Sequence, residues 1–234
     1  MQKIISSDNR GVTGADWLES HHSFSFGEYY DPKNMGFGPL RVINEDFVDA
    51  GKGFHTHPHA NMEIITYVLE GELEHKDSLG TGSRIRPGDV QLMSAGKGIL
   101  HSEFNPSPAN NVHLLQIWIM PDETGTKPGY QQTTFAAQDL KNNLRLVVSP
   151  DGAEGSLTIR QQAKLWVTRL EAEKSVSLEI DKRKKYWFQV ARGKVDIRGT
   201  SLSQGDALAV EDEAGIAGIR ALADAELVIF ELPQ

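Results

Sequence analysis

The sequence predicts an all-β fold of two tandem barrels. Three observations carry that expectation: many short β-branched or aromatic runs set between turn residues, no long amphipathic helix, and an internal repeat. The runs fall at residues 36–43 (GFGPLRVI), 63–69 (EIITYVL), 90–93, 112–120 (VHLLQIWIM), 144–148, 165–170, 186–190, 195–197, 207–210 and 227–230. Gly, Pro, Asn and Asp separate them. Residues 132–141 are expected to form one short helix.

The repeat sets the architecture. Tyr67-Val68-Leu69-Glu70-Gly71-Glu72-Leu73, Pro87-Gly88-Asp89 and Ala95-Gly96 return as Gln189-Val190-Ala191-Arg192-Gly193-Lys194-Val195, Gln204-Gly205-Asp206 and Ala214-Gly215. The separations are 122, 117 and 119 residues, so one loop is shorter in the second copy. Each copy reads as strand, Gly turn, strand, Gly-Asp turn and strand; the glycines supply positive φ and the Asp bonds the turn backbone. The Pro/Gly/Thr-rich stretch 121–130 (PDETGTKPGY) marks the boundary, giving domains 1–130 and 131–234. A monomer is expected, because paired barrels cover each other's faces.

Composition narrows the function. The chain has 234 residues, 39% hydrophobic and 24% charged, with net charge -8. This describes a soluble globular protein without the basic surface that phosphate neutralisation needs, so no direct nucleic-acid partner is expected. Its sole basic cluster, Lys182, Arg183, Lys184 and Lys185, reads as a solvated loop before a strand. Cysteine is absent, which removes disulfides, thiolate ligands and cysteine nucleophiles. Neither a signal-peptide core nor a run long enough to span a membrane is present, so a cytoplasmic location is expected.

All eight histidines precede residue 114. A histidine-based site therefore belongs to the first copy alone. The densest constellation is His55-Thr56-His57-Pro58-His59 with Glu63 downstream, plus His101-Ser102-Glu103. Residues two apart on a strand share a face, so His57 with His59, and His101 with Glu103, can converge from two strands. Three imidazoles and a carboxylate suit a divalent ion and leave positions open for substrate or dioxygen. His55 shares the parity of His57 and His59 and reads as a residue at the mouth or a group orienting a ligand. His21, His22, His75 and His113 show no such pairing and read as structural.

The same residues resemble a family. Gly51-(x5)-His57-x-His59-(x3)-Glu63 is similar to the first cupin motif, with Gly71 one residue later than that motif expects. Gly98-(x2)-His101-(x3)-Asn105 is similar to the core of the second. More narrowly, the chain resembles the short bacterial pirins through Trp17, His21-His22-Ser23-Phe24-Ser25-Phe26, Tyr30-Asp31-Pro32, Thr56-His57-Pro58-His59, His75-x-Asp77, Met93-Ser94-Ala95-Gly96, His101-Ser102-Glu103 and Gln116-x-Trp118.

The resemblance implies two jelly-roll-like cupin barrels, a bicupin, the second emptied of its site. It implies one divalent metal ion, iron(II), on His57, His59, His101 and Glu103, with Glu103 also the catalytic base. Many cupins use the carboxylate at Glu63 instead, and strand parity does not separate the two. The same donors accept zinc, manganese, cobalt, nickel or copper. The implied activity is quercetinase-like: ring opening of a flavonol or another small phenolic substrate by dioxygen, with loss of carbon monoxide. Phe24, Phe26, Phe37 and Phe54 are candidate ring-stacking walls, although barrel core is their commoner use. The alternative is a metal-dependent, redox-sensing interaction protein that modulates a transcription factor or metabolic enzyme. A zinc isomerase is a third reading, and the pirin-like stretches weigh against it.

Overall fold

The computed structural model describes every residue, Met1–Gln234, and is almost entirely β. It divides into two compact units, one of residues 10–134 with 159–161, the other of 1–9, 135–158 and 162–234. The chain opens with β1 (Gln2–Ile5), which pairs inside the second unit. The first unit then holds β2 (Gly11–Ala15), β3 (Leu18–His22), β4 (Leu40–Val48), β5 (Gly53–His59), β6 (Glu63–Glu70), β7 (Leu73–Asp77), β8 (Gly82–Ile85), β9 (Asp89–Ser94), β10 (Ile99–Phe104), β11 (Val112–Ile119) and β12 (Gly129–Thr134). One sheet runs β12-β9-β6-β11-β4-β3-β2 and the other β5-β10-β7-β8.

The second unit holds β13 (Arg145–Ser149), β14 (Leu157–Thr158), β15 (Lys164–Leu170), β16 (Ser175–Ile180), β17 (Lys184–Arg192), β18 (Lys194–Ile197), β19 (Thr200–Ser203), β20 (Ala207–Val210), β21 (Gly215–Ala221) and β22 (Ala225–Pro233). Its sheets run β1-β20-β17-β22-β15-β13-β14 and β16-β21-β18-β19. The two orders match up to the outermost strand, where β14 joins β13 in parallel while β2 joins β3 antiparallel, so the sequence repeat is a structural repeat. They are paired open sheets of jelly-roll type rather than closed barrels.

Two differences from the sequence reading have local causes. Residues 1–9 were placed with the first domain, but β1 fills beside β20 the edge position that β12 fills beside β9. An edge strand needs only one neighbour, and a far segment of chain supplies it. The helix expected over 132–141 shrinks to α1 (Ala137–Leu140). Ahead of it Gln132 and Thr134 extend β12, held by bonds of 3.2 and 2.6 Å to the Asp89 carboxylate.

Along the inward faces of the first unit the chemistry changes from one end to the other. Val48, Val68, Val112 and Leu114 close over Leu73 and Ile85 of the facing sheet as apolar core. Two to four residues further along the same faces come Asp46 and Asn44 on β4, Thr66 on β6 and Gln116 on β11. Apolar burial therefore fixes one end, and the polar end is where a site can sit. In the second unit the interior is mainly apolar, filled by Tyr186, Phe188, Val195, Ile197, Ile219 and Leu227 among others, with Thr168 a buried polar exception.

Candidate metal centre

His57 and His59 come from β5 and His101 from β10, its antiparallel neighbour, with His101 directly opposite His57. One ring nitrogen from each of the three lies within 4.8 Å of the others. Their ring centroids are 4.4 to 4.8 Å apart. His101 is buried, whereas His57 and His59 are partly open.

Hydrogen bonds choose which nitrogens are free. His57 donates Nδ1–H to the His55 carbonyl at 2.7 Å, leaving its Nε2 lone pair bare. His101 turns Nδ1 toward His75, and its Nε2 is buried with no hydrogen-bond partner. An orphaned buried nitrogen costs about 1–3 kcal/mol unless something else satisfies it. A cation answers that need, so the donor set fits a metal ion. Burial, with neighbouring imidazoles adding to it, holds His59 down to about 4 and His101 down to about 2. Both are neutral at pH 7, the form that ligates.

The carboxylates separate cleanly. Glu103 lines the same cavity as the three imidazoles. Gln116 Nε2 donates to both its oxygens, at 3.2 and 3.0 Å, and Thr66 Oγ1 lies at 3.4 Å. Burial pushes Glu103 up to about 7 despite those bonds. Glu63 points out of the opposite face of β6, where its Oε2 accepts from Ser94 Oγ at 2.8 Å and the Arg160 amide at 3.3 Å. A strand's two faces are equivalent until one knows which is inside, and sequence parity carried no such mark. Glu103 approaches His101 and His75 as a second close group, rather than joining all three imidazoles in one.

A β-bulge explains His55. Between the pairs His101–His57 and Glu103–Phe54, β5 carries one residue more than β10. The extra residue breaks the alternation, so Phe54 faces the cavity while His55 is exposed.

The cavity measures about 110 Å³. Of the four candidate aromatic walls, Phe26 and Phe54 line it and Phe24 and Phe37 do not. Trp118 also lines it, edge-on to His59 with centroids 4.8 Å apart and with an unpartnered indole nitrogen. Opposite lies a polar wall. His22 donates Nδ1–H to Asn44 at 2.8 Å and accepts from Thr13 at 2.6 Å. Asp46 is bonded to Ser20. Burial raises Asp46 to about 7, with the Glu103 and Glu45 charges pushing the same way against that bond. Of the histidines read as structural, His22 is thus part of the cavity wall and His75 touches His101. The other two pair elsewhere, His21 with Glu19 and His113 with Glu45.

In the second unit the strand register shows what replaced these groups. Ile197 stands 122 residues after His75 and pairs with Ile219, as His75 pairs with Glu103. Ile219, Ala217 and Ile197 therefore occupy the places of Glu103, His101 and His75. Apolar side chains fill that interior.

Two jelly-roll units in tandem, with the ligand-type cluster confined to the first, make this chain a bicupin. It belongs to the pirin family: residues 6–119 match Pirin, and residues 146–232 match the quercetinase C-terminal cupin domain. A quercetin 2,3-dioxygenase of Escherichia coli K12 is 47% identical over 230 residues, covering 98% of each chain. A pirin-like protein of Caulobacter vibrioides is 40% identical over 226 residues, 96% of each. Among solved structures, the bacterial pirin YhhW of Escherichia coli in complex with nickel(II) superposes with a TM-score of 0.94 at 45% identity, covering 100% of this chain and 99% of that one.

Proposed function

We propose that this chain binds one divalent metal ion through His57, His59, His101 and Glu103 and opens the heterocyclic ring of a flavonol such as quercetin with dioxygen. Both oxygen atoms enter the organic product and one ring carbon leaves as carbon monoxide. The observation that carries the reading is the unpartnered Nε2 of His101 among the imidazoles of His57 and His59. Support comes from the quercetin 2,3-dioxygenase name of a relative matching nearly the full length, and from the nickel(II) complex of the structural neighbour.

A bound divalent ion supplies Lewis acidity toward an enolic oxygen and a route for electrons to dioxygen. The protein supplies the rest. Glu103, held by Gln116 and Thr66, is the cavity carboxylate that would take the flavonol hydroxyl proton. Phe26, Phe54 and Trp118 offer an apolar wall for the fused rings and keep water away. Asp46, Asn44 and His22 offer a polar wall for phenolic hydroxyls. At about 110 Å³ the cavity is below the ~300–1,000 Å³ of drug-sized sites, so it encloses the reacting end of the substrate and leaves the distal ring at its mouth.

The test is to load the protein anaerobically with iron(II), then admit air and quercetin. Dioxygen uptake and carbon monoxide release are expected in equal amounts, and His101→Ala should abolish both. Metal-loaded protein that releases no carbon monoxide would overturn the activity.

A further inference from the structure

We propose that His75 and Asp77 form a relay that fixes which nitrogen His101 presents to the metal. The proposal rests on the metal reading above, and adds two positioning residues to it.

The relay follows from strand register. On β7, Asp77 lies opposite His101 and His75 opposite Glu103. His75 and His101 are therefore diagonal neighbours on the inward face, within reach of two imidazoles. Their Nδ1 atoms are 3.4 Å apart. The other nitrogen of His75, Nε2, lies 3.1 Å from Asp77 Oδ2, and both side chains are 0% exposed. Asp77 is itself fixed by the turn after β7, its Oδ1 accepting from the Leu79 and Thr81 amides at 2.9 and 3.0 Å. The Tyr130 ring packs against the His75 ring, with centroids 4.9 Å apart and a tilt of 32°.

Donor and acceptor roles then propagate in one direction. A carboxylate facing Nε2 accepts, so His75 carries its proton there. A neutral imidazole with Nε2–H has a bare Nδ1. That bare nitrogen accepts Nδ1–H from His101, which leaves His101 Nε2 bare. The bare atom is the one found buried without a partner. A metal-bound imidazole donating through its other nitrogen is oriented and made more basic. The second unit has neither His75 nor His101: Ile197 and Ala217 fill their places, so both parts of the device are missing together.

Two measurements test this. In metal-free protein, a long-range proton–nitrogen NMR spectrum of the imidazoles should show His101 protonated on Nδ1 and bare on Nε2; the opposite tautomer would overturn the relay. Nickel(II) titration at pH 7 should then show His75→Phe binding about 10–100-fold more weakly. His75→Gln, whose amide oxygen can accept from His101, should recover part of the loss. In Asp77→Asn the backbone amides claim the side-chain oxygen and the NH₂ faces His75 Nε2, which should reverse both tautomers and weaken nickel(II) to a similar extent. This variant stands in if His75→Phe does not fold. Wild-type affinity in folded His75→Phe or Asp77→Asn would contradict the proposal. Absence of nickel(II) binding by the wild type would sink the metal reading, while the tautomer spectrum would still decide the relay.

Discussion

Gln116 Nε2 sits 3.2 and 3.0 Å from the two carboxylate oxygens of Glu103, so one amide holds the whole acid group in place. The amide reaches it from β11, across the cavity from the His-bearing strands. Its contribution can be measured on the acid itself. Hydrogen bonds to charged groups are worth about 1.5–3 kcal/mol, or roughly 1–2 pH units. In metal-free Gln116→Leu the Glu103 pKa, followed by carboxyl NMR, should rise above its value near 7 by that amount. Nickel(II) affinity at pH 7 should fall about tenfold, since the ligand must lose its proton first. An unchanged pKa would show that burial alone sets it.

Asp46 gives a pH dependence whose sign is fixed. Its folded value near 7 lies above the ordinary 3.8, so the folded state holds this proton more tightly than the unfolded state does. The stability it contributes is complete below about pH 4 and is lost as pH rises to about 7. The loss is at most about 4 kcal/mol. In metal-free protein, urea unfolding of Asp46→Asn should therefore gain on wild type across that interval and level off above it. A difference that is flat with pH would refute the assignment.

Glu103 and Glu63, the two glutamates that the sequence offers as ligands, should behave oppositely. Glu103→Gln removes a cavity carboxylate and should weaken nickel(II) by tenfold or more. Glu63→Gln lies on the outer face with Ser94 and Arg160, and should leave affinity within about threefold while costing about 1 kcal/mol of stability. The reverse pattern would place the ligand at Glu63.

The repeat predicts paired effects at its turn glycines. Gly71 and Gly193 share φ values of 78° and 77°. A Cβ on Gly71 would meet the Asn111 carbonyl at 2.8 Å, and one on Gly193 the Asp224 carbonyl at 1.9 Å. Both alanine variants should lose stability, by about 1–3 kcal/mol from the backbone conformation alone. Gly193→Ala should lose more, because its overlap with backbone is the deeper of the two. Thermal unfolding of the two variants side by side checks the order.

Much of this was legible in the sequence. Strong runs such as 63–69 and 207–210 became strands within a residue or so at each end, because burial on the inner face fixes them. Polar strands lay outside those runs: β3 (LESHH) and β8 (GSRI) carry few β-branched residues, and their neighbours rather than their propensities make them strands. The spacing of His57, His59, His101 and Glu103 was readable because alternation on a strand is local. His75 was not singled out, although His75-x-Asp77 has the same alternation; its link to His101 depends on cross-strand register. His55 is exposed, in line with the mouth reading, but the parity it shares with His57 and His59 does not hold, since a bulge changes parity without marking the sequence.

The central claim is that three imidazoles and the Glu103 carboxylate hold one metal ion. X-ray absorption of the iron(II)-loaded protein tests it most directly. Three imidazole nitrogens and carboxylate oxygen at about 2.0–2.2 Å are expected, with one imidazole fewer in His101→Ala. A spectrum with fewer than three imidazoles, or one unchanged by His101→Ala, would contradict it.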